Sequence, residues 1–308
     1  MFINRFVSSG ALIAVAAIFA AGSASAQMTL TPAGASRGFQ LTTFVDNVTI
    51  GNLGPIGLDY FNGGVTVSAY NGEVRQFSNI DNQNWAAGSI IGSYGQNNGT
   101  GLAHFGAQQY MAEQNAGRVV ALPSGTQVGS NIGFATGLVA NNSNGLLYVS
   151  TGSQVWTLNP ANGATNVFGN IPADGLSLSL TGDILYAALN NGHVVGYDAN
   201  TAAQVFDSGF IPGGIDGTAV GFGTRLGYLY VNTNGGTIVE VNLGTLEQTL
   251  ISSGGSRGDF VASDPSGSGD LLLTQYDRVL RLSGIPTPGT AALLGLAGLV
   301  ATRRRRLA

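Results

Sequence analysis

The sequence predicts an all-β fold, a six-bladed β-propeller with four-stranded antiparallel blades, because three markers recur in one phase. An apolar B-strand position returns at Thr66, Tyr110, Tyr148, Tyr186, Tyr230 and Leu272, at spacings of 44, 38, 38, 44 and 42 residues. A glycine, usually followed by an apolar residue, opens each A strand at Gly57, Gly101, Gly137, Gly175, Gly217 and Gly258. A turn then leads into a C strand, as at Asn71-Gly72 before Val74, Ala116-Gly117 before Val119, Asn191-Gly192 before Val194 and Gly235-Gly236 before Ile238. A period of about 41 residues with about four strands per unit marks propeller blades, each of which needs its neighbours to bury both faces. A body from Gln27 to Ile285 is long enough for six such units, and no seventh copy is visible, which leaves seven blades the weaker alternative.

The stretch from Gly175 to Asp198 shows why each unit is a sheet. Its apolar residues alternate along three short runs, broken by Thr181-Gly182-Asp183 and Asn190-Asn191-Gly192. Alternation bounded by Gly, Asn and Asp is the pattern of antiparallel strands. D strands are expected at 88–92, 126–128, 166–168, 204–206 and 248–251. The sixth copy has A, B and C strands (260–263, 271–274, 279–282) and then runs into Pro286. Its missing strand is expected from the N-terminal run Gly38 to Val48, which would close the ring by pairing the two ends of the chain.

The chain of 308 residues is 44% hydrophobic and only 9% charged, with 48 glycines and no cysteine. Such glycine content suits a fold of many tight turns. Without cysteine there is no disulfide framework and no thiolate metal site. Between Gln27 and Ile285 seven arginines face all sixteen acids, a balance of about −9. That argues against nucleic acid as a partner, because such binding needs a basic surface to displace phosphate counterions.

Both ends carry an address. Residues 1–26 read as a secretory signal: Arg5, an apolar run from Ala11 to Ala21, then Ala24-Ser25-Ala26, with cleavage between Ala26 and Gln27. At the other end Pro286-Thr287-Pro288 precedes a 14-residue apolar run, Gly289 to Thr302, and then Arg303, Arg304, Arg305 and Arg306. Fourteen helical residues span about 21 Å, against a hydrocarbon core of about 30 Å, so the run is a marginal membrane helix. Its arginines snorkel and stay cytoplasmic, leaving the body outside. The domains are thus 1–26 signal peptide, 27–285 propeller and 286–308 tail.

The tail resembles the PEP-CTERM sorting signal of exported bacterial proteins, on Pro286, Pro288 and the Arg303–Arg306 cluster; Thr287 stands where that family usually has Glu. The resemblance implies processing by signal peptidase and an exosortase-like enzyme, transient insertion in the inner membrane, and delivery to the envelope, cell surface or extracellular matrix. A plain C-terminal anchor is the alternative. The resemblance covers 286–308 alone and leaves the body unassigned.

No constellation in the body commits it to catalysis, and no catalytic residue, metal ligand or cofactor is assigned. Gly254-Gly255-Ser256-Arg257-Gly258 matches G-x-S-x-G, but it lies between two strands, where the nucleophile elbow needs a strand turning into a helix. Gly221, Gly223 and Gly227 miss the dinucleotide spacing and precede a strand. His104 and His193 have no H-x-x-x-H or H-E-x-x-H partner, and the Asp-box repeat of sialidase propellers is absent. Asp174, Asp216 and Asp259 recur at A-strand openings, with Thr100 and Thr136 at the matching place in two other blades. The ordinary role of such residues is to bond nearby backbone and set the turn. The sharper one is to converge at the channel mouth on a hard cation such as Ca²⁺, as in the lactonase-type propellers that the body resembles in blade count. Tyr148, Tyr186, Tyr230, Trp156, Tyr197 and Phe77 are expected to pack between blades. Gln96 to Thr100 is expected to be an exposed loop.

The function these readings imply is an exported binding or scaffold module of the cell surface or extracellular matrix, with envelope polysaccharide or other surface proteins as partners. The alternative is a Ca-dependent hydrolase of lactones or glycans at the channel mouth. A structural surface-layer component is a third reading.

Overall fold

The computed structural model of the chain describes residues 27–48, 53–95 and 98–284, within which the six repeats form six blades. Blade 1 takes Pro55–Phe61, Gly64–Ala69, Glu73–Ser78 and Ser89–Ser93 as strands A to D. Blade 2 takes Gly99–Phe105, Gln108–Glu113, Arg118–Leu122 and Thr126–Val128; blade 3 takes Leu138–Asn141, Leu146–Ser150, Val155–Leu158 and Thr165–Gly169. Blade 4 takes Ala173–Leu178, Ile184–Leu189, His193–Asp198 and Gln204–Phe210; blade 5 takes Ile215–Val220, Tyr228–Thr233, Ile238–Asn242 and Gln248–Ser253. Blade 6 takes Val261–Ser263, Leu271–Gln275 and Arg278–Gly284 from the end of the chain and Phe39–Asp46 from its start. Each A strand touches the next, and that of blade 6 touches that of blade 1, so the ring closes.

The B-strand repeat holds to the residue. Thr66 pairs with Asp59, Tyr110 with Ala103, Tyr148 with Val139, Tyr186 with Ser177, Tyr230 with Ala219 and Leu272 with Ala262, the same rung in all six blades. The A-strand marker holds in five. On that register the sixth glycine position is Phe260, two residues beyond the expected Gly258.

The glycines recur because blades meet backbone to backbone near the axis. A Cβ on Gly137 would lie 2.3 Å from the Asp174 carbonyl oxygen of blade 4, and one on Gly175 or Gly217 would lie 2.2 Å from that of Asp216 or Asp259. Small B-strand hydroxyls fasten these approaches. Ser68 Oγ accepts the Gly57 N–H at 2.9 Å and donates to the Thr100 carbonyl of blade 2 at 2.7 Å. Ser150 does the same between Gly137 and the Asp174 carbonyl of blade 4.

Between blades the core is apolar, as when Tyr148 and Val155 of blade 3 pack on Leu176, Leu185 and Val195 of blade 4. Each such side chain contributes about 1.5–3 kcal/mol by leaving water. The expected aromatic packing is present: Tyr148, Tyr186, Tyr230 and Phe77 are buried, Trp156 and Tyr197 partly so. Tyr148 also donates to the Ala199 carbonyl of the next blade at 2.8 Å.

The N-terminal strand supplies strand D of blade 6, pairing from Phe39 opposite Gly284 to Val45 opposite Val279. Arg37 beside it bonds Glu240 at 2.6 Å, and the Arg225 guanidinium lies 3.7 Å from the centre of the Phe39 ring. Two blades depart from the four-stranded expectation. Thr29–Leu30 adds a fifth strand to blade 5 and Gln83–Asn84 adds one, in parallel, to blade 6. Gly99 and Thr100 also depart from the expected loop: both are buried in strand A of blade 2, Thr100 donating to the Ala112 and Ala135 carbonyls.

Ala26, Pro286, Pro288 and Arg303 to Arg306 lie outside the described residues, while Gln27 is exposed. Among the described residues no helix is long and apolar enough to cross a membrane, and the run from Gly289 to Thr302 lies outside them.

Candidate functional site: the two ends of the channel

The A strands run from a face carrying the D–A connections and B–C turns to a face carrying the A–B turns. Ile56, Thr100, Thr136, Asp174, Asp216 and Asp259 share one A-strand position at the first face. Two residues on, about 7 Å at strand rise, stand Leu58, Leu102, Leu138, Leu176, Thr218 and Val261. A cavity of about 220 Å³ opens at the first level, the mouth, and one of about 560 Å³ at the second, here called the funnel. Phe260 lines both. Where five blades carry glycine, the sixth places a ring between the two cavities.

At the mouth the three aspartates do converge, and an arginine pairs with two of them. Arg257 pairs with Asp259 and reaches Asp216 at 3.6 Å. The Asp216 carboxyl shares hydrogen bonds with those of Asp174 and Asp259. Burial is the main force on both inner carboxyls. It pushes Asp216 up to about 10, helped by the charge and hydrogen bond of Asp174. Asp259 is pushed up to about 7, burial being opposed by the Arg257 charge. Buried like charges cannot all ionise together, so the cluster holds a proton as well as the guanidinium. Among the described residues no group of three or more His, Cys, Asp or Glu side chains is arranged to hold a metal ion. Nor do the aspartates bond local backbone to set turns, the ordinary role expected of them.

Around this cluster lie Leu53, Tyr70, Gln114 and Phe134. Tyr70 donates to Gln114 at 3.3 Å, and Phe134, on the D–A connection into blade 3, is 54% exposed. Neither Arg257 nor Phe134 stood out in the sequence. Arg257 lies inside the G-x-S-x-G run and two residues before Asp259, a placement that could have flagged it in a body with so few arginines.

The other candidates have structural partners. Ser256 is held at a turn, its N–H and Oγ donating to Gln275 Oε1 and its Oγ accepting from Tyr276 N–H, with no histidine beside it. His104 Nδ1 lies 2.8 Å from Asp59 Oδ1 of blade 1, while Gln109 donates to the other carboxylate oxygen at 2.6 Å. The Asp59 hydrogen bond holds the His104 imidazole above its usual range, against the opposing effect of burial. His193 makes an exposed pair with Asp207 at 2.8 Å. Both imidazoles tie strands or blades together.

The fold is that of a six-bladed β-propeller, with one cavity at each end of its A strands. No protein-family model matches the chain, and no curated protein sequence matches it. Solved structures do. The XC5397 gluconolactonase of Xanthomonas campestris is similar with a TM-score of 0.67 at 14% identity, over 84% of this chain and 95% of that one. A chain of a nidogen/laminin complex is similar at 0.59 and 13%, over 72% and 97%. A catalytically inactive virginiamycin B lyase from Staphylococcus aureus, solved with quinupristin, is similar at 0.55 and 13%, over 80% and 100%. At these identities the likeness is one of fold.

Proposed function

We propose that the protein is an exported binding module whose channel mouth recognises carbohydrate of the cell envelope or matrix. The observation that carries this is the pairing, at one mouth, of an exposed Phe134 ring with a fixed set of polar groups: Asp174, Asp259, Arg257 and Gln114. A sugar ring has apolar C–H faces that stack on an aromatic side chain and hydroxyls that need both donors and acceptors. The Arg257–carboxylate cluster presents both without carrying a large net charge. A cavity of about 220 Å³ suits one terminal sugar more than a drug-sized ligand, whose pockets run from about 300 to 1,000 Å³. Affinity electrophoresis of the full chain through gels containing surface polysaccharide tests this. Retardation by at least one polysaccharide, absent in Phe134→Ala, is expected; equal migration of both proteins in every gel would refute it.

A second reading, hydrolysis of a lactone or glycan, is favoured by one observation. Burial pushes the Asp259 carboxyl up to about 7 against the Arg257 charge, a range suited to exchanging a proton with substrate. In its metal-dependent form it requires Arg257 to give way to Ca²⁺. A thermal-shift assay separates the two: the binding reading expects no change in Tm with millimolar Ca²⁺, and a clear rise would transfer the mouth to the hydrolase.

The destination belongs to the same proposal. Signal peptidase removes residues 1–26, and an exosortase-like enzyme reads Pro286, Pro288 and Arg303 to Arg306. Intact-mass analysis of surface protein checks this, since a mature form keeping the four arginines would mean simple anchoring.

A further inference from the structure

We infer that the funnel is a second ligand site, one that takes an alkyl chain bearing an uncharged hydroxyl head. Its size of about 560 Å³ lies within the range of small-molecule pockets. Its floor is the collar of Leu58, Leu102, Leu138 and Leu176, closed off from the mouth by Phe260. Where four blades give leucine, blade 5 gives Thr218, whose hydroxyl bonds that of Ser177 at 2.8 Å within the lining. This pair can trade its mutual bond for one to a ligand hydroxyl. Among the described residues no ionisable side chain lines the funnel, in contrast to the mouth at the other end of the same axis. A carboxylate or ammonium buried there would have no counter-charge, a cost that selects uncharged ligands. An alkyl chain laid on the collar gains about 0.8 kcal/mol per buried methylene.

Photolabelling of the full chain with a diazirine-bearing decanol tests the site. Saturable labelling is expected on peptides spanning 138–143 and 176–182, with 1-decanol competing at least tenfold better than decanoate. Leu176→Trp, which fills the collar, should cut that labelling at least tenfold, while Leu176→Met preserves it. Labelling scattered over other surfaces, equal competition by decanoate, or undiminished labelling of a folded Leu176→Trp protein would each overturn the inference. Should Leu176→Trp fail to fold, the comparison of decanol with decanoate on the unaltered protein decides alone.

Discussion

At the scale of single residues, function and fold meet in the three positions Asp259, Phe260 and Arg257. The A-strand position of Asp259 faces the mouth, the next residue closes the channel, and the arginine two places earlier neutralises the acids. Replacing Arg257 by Ala would leave Asp216 and Asp259 buried without their cation. Partial solvent access to the guanidinium softens the loss, which we expect at about 1–3 kcal/mol, below the about 3–5 kcal/mol of a fully buried pair. Chemical denaturation should show it at pH 7, and an unchanged midpoint would mean that the acids are neutral without help. The axial glycines make a sharper case. Gly137→Ala sets a Cβ 2.3 Å from a backbone oxygen that cannot swing aside. Its cost should exceed the about 1–3 kcal/mol of ordinary overpacking, whereas Gly63→Ala, with open space around it, pays only for its positive φ.

At the scale of elements, the N-terminal strand decides whether the ring is closed. Phe39–Asp46 forms the longest strand pairing among the described residues and joins the first and last parts of the propeller. Deleting residues 27–50 should abolish cooperative unfolding, since strand C of blade 6 becomes an edge and Val45, Phe44 and Phe39 leave the core. A truncated protein melting like the whole would contradict the closure. This element was legible because the sixth copy visibly lacked a strand and Gly38 to Val48 alternated like one. Thr29–Leu30 and Gln83–Asn84 were not, because a two-residue strand has no period to read. The mouth was half legible for a similar reason. Repetition exposed Asp174, Asp216 and Asp259, but Arg257 and Phe134 sit on connections outside the repeat, where no phase marks them. The glycine phase itself misled at blade 6, where Gly258 is in sight and Phe260 holds the register.

At the scale of the whole molecule, the propeller is a channel whose described residues make two unlike ends, charged at the mouth and uncharged at the funnel. Its buried acids make stability depend on pH. Folding raises Asp216 and Asp259 above the carboxylate value near 3.9 that they regain on unfolding, so the folded state keeps protons which the unfolded chain releases. Their contribution is full below about pH 4 and is lost as pH rises through about 7 and then about 10. His104, also raised, acts with the same sign above the ordinary imidazole range. Tm should therefore fall between pH 5 and pH 8, and Asp216→Asn should flatten the slope; a Tm that rises over this interval would reverse the assignment. Calorimetric titration of the full chain with oligosaccharides released from surface polysaccharide decides whether the mouth is a sugar site. A sugar site at the mouth should give saturable binding that weakens tenfold or more, about 1.4 kcal/mol, in Phe134→Ala and survives in Leu176→Trp; binding unchanged by Phe134→Ala would rule that site out.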